Sequence, residues 1–135
     1  MREILFKAKR LDNGEWVEGN LFWQMYDGVT TLCIQTEPIN ANDYGDIIGD
    51  WYMVDPETVC QYTGITDKNG VKIFDGDIVT AKSLFTTYCA FKIKWIHENA
   101  KFVMEGYGEL CPRTRLELDD SLEIKVQGNI YDKEE

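Results

Sequence analysis

The chain has 135 residues, 44% hydrophobic and 28% charged, with a formal net charge of -10; this suffices for one domain, or two small lobes sharing a core, without a metal or disulfide staple. The acidic balance disfavours nucleic acid as a partner, because no dense Lys/Arg run offsets the repulsion of a phosphate backbone. No apolar run approaches the ~20 residues of a membrane helix, the opening residues lack the apolar region of a secretory signal, and Cys33, Cys60, Cys89 and Cys111 are too widely spaced for a C-x-x-C pair, so reduced, buried thiols in a cytoplasmic protein are expected.

Glu3 to Lys9 has the composition of a first strand, and Asp12-Asn13-Gly14 marks a tight turn into a second, Trp16 to Trp23. Asp27-Gly28 predicts another hairpin turn, leading into the β-branched run Val29-Thr30-Thr31-Leu32-Cys33-Ile34-Gln35. Residues 36–50 hold Pro38, Asn40, Asn42, Asp43, Gly45 and Gly49 and read as a long polar loop. Trp51 to Val54 resumes a strand, Asp55 to Val59 reads as a turn, and Cys60 to Gly64 continues extended.

The next stretch is the most patterned. Asp67-Lys68-Asn69-Gly70 and Asp75-Gly76-Asp77 are two turn signals flanking the short segment Val71 to Phe74, with Ile78 to Lys82 following as a strand. Turns this close leave no room for a helix between them, and the arrangement predicts a small SH3-like β-barrel. Phe91, Ile93 and Trp95 alternate with Lys92 and Lys94, as a half-buried strand requires. A loop over 97–100 joins it to Lys101 to Met104, and Glu123 to Ile130 supplies a last strand. The one candidate helix, over 115–122, is short and weakly periodic.

Three pieces of the chain carry a resemblance. These are Arg2-Glu3-Ile4-Leu5-Phe6-Lys7-Ala8 at the start, the central run from Asp55 through Gly64, Asp67 to Gly70 and Asp75 to Val79, and Gly128-Asn129-Ile130-Tyr131-Asp132 near the end. In this order they resemble the YopX family of temperate phages and prophages. Lys9, where a Trp would be expected, and Cys60, where a Gly would be, depart from the pattern. The resemblance implies a mostly β fold with an SH3-like barrel portion, and self-association; it carries no established activity, catalytic residue or cofactor. The expected organisation is one YopX-like domain, with a β-hairpin lobe over 1–60 and an SH3-like barrel lobe over 61–135.

No catalytic, metal or cofactor-binding residue is assigned. His97 is the sole histidine and falls in a hairpin loop, where solvated histidines are common and triads rare. The cysteines offer no zinc spacing. Asp67, Asn69, Asp75 and Asp77 fit turn formation better than cation binding, as the EF-hand spacing is absent; Asp43, Asp46 and Asp50 share the polar loop. Trp16, Phe22, Trp23, Tyr26, Trp51, Tyr52 and Trp95 suit core and subunit contacts more than base stacking, given the charge. No nucleotide-binding glycine motif occurs. A non-enzymatic accessory protein is therefore expected, acting as a homo-oligomer or on a host or phage protein partner. The alternatives are a nucleic-acid-associated SH3-like module and an acidic DNA mimic that inhibits a host protein.

Overall fold

The structure, a computed structural model, describes residues 4–36, 40–41, 47–48, 50–82, 88–98, 100–106, 115–118 and 123–132. The chain divides into two compact units, Met1–Gln61 and Tyr62–Glu135, with the division inside one strand.

In the first unit, β1 (Phe6–Lys9) runs antiparallel to β2 (Trp16–Tyr26), which pairs with β3 (Val29–Gln35). Asn40–Ala41 (β4) and Ile47–Ile48 (β5) form a small ladder of their own, and β6 (Trp51–Met53) pairs with β3. The segment 36–50 is thus not loop throughout, as the sequence suggested; 37–39, 42–46 and 49 lie outside the described residues. Its ends are pinned where the Thr36 N–H and Oγ1 both donate to the Asp50 carbonyl, at 2.9 and 3.1 Å. A single 3₁₀ turn, η1 (Pro56–Thr58), is capped by the Asp55 carboxylate and leads into β7 (Cys60–Thr66), whose first residues pair with β1.

This sheet bends round on itself. Val54 bridges to Arg10, the Leu11 N–H donates to the Met53 carbonyl, and the Asp55 N–H donates to Lys9. The outer strand thus meets the end of β1. Directly paired residues share a face, so Ala8 against Val17, and Ile34 against Leu21 and Tyr52, point inward together. With Leu32 and Val54 they make the unit's core, each large aliphatic side chain contributing roughly 1.5–3 kcal/mol when fully buried.

The turns follow the sequence signals. Asp27 and Gly28 both take positive φ, 52° and 77°, in a two-residue loop, the backbone that matches strand twist in a tight hairpin. Gly19 is required for a different reason: a Cβ there would lie 1.9 Å from the Gln35 carbonyl oxygen. At this residue β2 leaves β1, which it accompanies through Gly19, and continues beside β3 alone.

In the second unit, the latter part of β7 pairs with β8 (Lys72–Phe74). β9 (Asp77–Lys82), β10 (Tyr88–Ile96), β11 (Lys101–Gly106) and β12 (Arg115–Glu117) form an antiparallel meander, and β13 (Lys125–Asn129) returns beside β9. The order β12-β11-β10-β9-β13 is that of an SH3-like barrel: four consecutive strands and a fifth next to the first. Ile73, Val79, Ala81, Phe91, Ile93, Met104 and Ile124 fill the core, and Phe91 against Val79 and Ile93 against Met104 are direct cross-strand partners.

One expectation is corrected here. The candidate helix at 115–122 is a strand where described, with Leu116 opposite Met104. Leu116 and Leu118 pack together against the core. Their spacing of two is a strand period, and burial on an available sheet edge outweighs weak helix propensity; 119–122 lie outside the described residues. Trp95 also departs from the alternation of Phe91 and Ile93. It is exposed and meets Phe102 edge-on, with centroids 4.9 Å apart, while Ile96 is the buried residue.

Candidate functional site

The residues that look most like chemistry are bound into the second unit's turns. The Asp67 carboxylate accepts from the Asn69 and Val71 N–H groups with one oxygen and from the Val126 N–H with the other, at 2.8, 2.9 and 3.0 Å. Burial pushes this carboxyl up, but the three N–H donors, with Lys125 nearby, outweigh it and hold it below the usual carboxylate range. Asp77 is 0% exposed. It accepts from the Phe74 N–H at 2.8 Å and from Asn129 Nδ2 at 2.9 Å. Asn129 in turn accepts from the Tyr131 N–H, and Asp132 accepts from the Asn129 N–H. In the turn between β8 and β9, Gly76 sits at φ 86°, donates to the Ile93 carbonyl and accepts from the Ile130 N–H.

Turn chemistry is thus the first job of Asp67 and Asp77, as their sequence context indicates, but each has a second. Asp67 also holds β13, and Asp77 also holds Asn129, partners 59 and 52 residues away. Asp75 differs. Burial, and then repulsion from Asp77, raise its carboxyl above the usual range, against the pull of Gly76, Lys92 and Trp95.

The other sequence candidates are scattered. His97 is exposed in the loop that joins β10 and β11. Cys33 and Cys60 are buried, and burial pushes the Cys33 thiol up, away from the reactive thiolate. The side chains of Cys89 and Cys111 lie outside the described residues, as do Asp43 and Asp46; Asp50 is exposed. Among the described residues, no three His, Cys, Asp or Glu side chains are grouped as metal ligands would be.

What the first unit exposes instead is apolar surface on both faces of its sheet, Trp23 and Met25 on the face of Leu21, and Val29, Trp51 and Met53 on the face of Phe22. Past Phe22, where β6 no longer pairs with β3, the strands β2 and β3 run on as a two-stranded arm. Trp23 is 65% exposed, Met25 71% and Val29 62%. Trp51 and Met53 on β6 are exposed as well, and Trp51 meets the Phe22 ring edge-on at 6.1 Å. Trp16 is covered differently, with the Lys7 and Lys9 ammonium groups 4.8 and 5.5 Å from its ring centroid. Tyr52 lies under the Arg10 guanidinium, which is also paired with Asp12; the hydrogen bond from Arg10 lowers the Asp12 carboxyl. The signal for the arm was in the sequence but is one of charge, not motif: residues 19–36 include a single charged side chain, Asp27, in a chain that is 28% charged.

The fold and these turns agree with what a family comparison returns, a match to the YopX protein family over residues 5–135. The chain belongs to the YopX family. Asp67, Gly76 and Asp77, among the residues that carried the resemblance, are the turn residues just described, and Gly70, at φ 81°, donates its N–H to the Asp67 carbonyl. A solved structure of similar fold, the crystal structure of protein EF1440 from Enterococcus faecalis, is 23% identical, covering 97% of this chain and 95% of that one with a TM-score of 0.60; the likeness is one of fold. Among curated proteins, none matches the chain. No helix among the described residues is long and apolar enough to cross a membrane.

Proposed function

We propose that this YopX-family chain is a phage or prophage accessory protein that works in the cytoplasm without enzymatic activity, through protein contacts and by association with itself. The observation that supports the reading is the exposure of Trp23 and Met25 on one face of the first unit's sheet and of Val29, Trp51 and Met53 on the other. Neighbouring exposed apolar side chains, such as Trp23 and Met25 on one strand face, suit a contact surface. The polar residues that would suggest catalysis are, by contrast, committed to backbone N–H groups.

The test is the solution mass of the full chain at micromolar concentration, by sedimentation or light scattering. A mass above that of the 15.6 kDa chain is expected. A strict monomer overturns the self-association. Binding of DNA or RNA that weakens steeply with salt would replace this reading with that of a nucleic-acid module on the SH3-like unit.

A further inference from the structure

We propose that the arm formed by β2 and β3 pairs edge to edge with the same arm of a second copy, across a two-fold axis beside Trp23. The inference rests on the self-association proposed above and assigns it a surface and a symmetry.

The open edge follows from the register. Tyr26 and Val29 flank a two-residue loop, so they exchange hydrogen bonds, and every second residue back along β2 (Gln24, Phe22 and Asn20) also directs its N–H and C=O toward β3. Leu21, Trp23 and Met25 therefore turn theirs to the opposite side. Up to Gly19 that side is occupied by β1; beyond it, among the described residues, no strand pairs there. A two-stranded hairpin by itself is marginal in water and gains independent stability in sheets of three or more strands. Joining two such edges makes a four-stranded sheet at Trp23, widened to five strands where β6 pairs with β3.

Charge selects the occupant. In a two-fold contact a residue near the axis meets its own copy, so a charged patch there opposes itself. The chain carries -10 overall, yet 19–36 holds one charge, Asp27 at the tip. The Lys and Glu residues that usually guard an exposed strand edge are missing from this one. Antiparallel pairing about Trp23 places Leu21 of each copy opposite Met25 of the other. Leu21, Trp23 and Met25 lie on one face of β2, so the two copies form one continuous apolar strip. A basic partner would find a single carboxylate on the arm, Asp27 at the tip, and a nucleic acid no cation.

Trp23→Glu sets two carboxylates against each other at the axis, and Met25→Glu sets a carboxylate against Leu21 of the other copy one pair away. Trp51→Glu, on β6, is the control for general loss of surface apolarity. Masses of the full-length chains are compared at equal concentration, with far-UV circular dichroism as the check on folding. The wild type is expected at twice 15.6 kDa, the Trp23 and Met25 variants at half that mass with unchanged spectra, and the Trp51 variant at the wild-type mass. If the wild type associates and both arm variants keep its mass, or if Trp51→Glu halves it equally, the arm pairing is overturned while self-association stands. If the wild type is a monomer, both fall.

Discussion

The β2–β3 arm of the first unit and the paired turns of the second are both built from short antiparallel strands joined by tight loops, yet they place their polar and apolar groups in opposite ways. In the second unit carboxylates go inside: Asp77 is fully buried and Asp67 nearly so, each tying a turn to a distant strand. In the arm, aromatic and thioether side chains go outside, and charge is almost absent. Buried carboxylates that are fully hydrogen-bonded specify one arrangement and tolerate little change. Exposed apolar side chains add little to the fold of the chain that carries them. The first region is therefore built for precision within the molecule, the second for contact outside it.

This contrast can be broken most forcefully at Asp77. Asp77→Ala leaves the Phe74 N–H and the Asn129 amide without their acceptor, and at ~1–3 kcal/mol for each buried donor the loss is roughly 2–6 kcal/mol, measurable by urea unfolding. Gly19→Ala comes next, since the new Cβ and the Gln35 carbonyl cannot both stay in place; a loss of about 1–3 kcal/mol is expected from the forced backbone shift, with the arm and the first unit's core affected together. The third effect depends on pH. Asp67 is held below its ordinary value, so it stabilises the fold above the unfolded carboxylate pKa, and that share is lost as pH falls through the lower folded value. The thermal midpoint of Asp67→Asn should lie below that of the wild type at neutral pH, and the gap should close in acid. Asp75 has the opposite sign, because its folded value is raised. Ionisation there opposes folding as pH rises through that value, so Asp75→Asn should be at least as stable as the wild type at neutral pH and lose its advantage in acid. Smallest of all is Trp23→Glu, whose unfolding free energy should stay within about 0.5 kcal/mol of the wild type, measured where both are monomeric. A large loss there would make Trp23 part of the fold and erase the distinction between the two regions.

Much of the β architecture was legible because turn residues and alternation are local. Asn13-Gly14, Asp27-Gly28 and Asp67 to Gly70 announced their turns, and Phe91, Lys92, Ile93 and Lys94 announced their faces. What sequence could not show is long-range. The bridge from Arg10 to Val54 closes the first sheet across 44 residues, and the hydrogen bond from Asn129 to Asp77 crosses 52. β12 was misread because a three-residue edge strand owes its existence to β11. The arm was missed for another reason. Its aromatics were noticed singly, while its signal is a shortage of charge spread over 18 residues, 19–36.

The bond between Asn129 and Asp77 also sets an order of events during synthesis. Asp77 leaves the ribosome 52 residues ahead of Asn129, and for that interval its carboxylate lacks the side-chain amide that donates to it in the fold. The meander can collapse early, but the turn at Gly76 cannot lock until residues 126–130 arrive to close it. Non-local closure of this kind slows folding, so the second unit should complete its structure late, as the last strand is released.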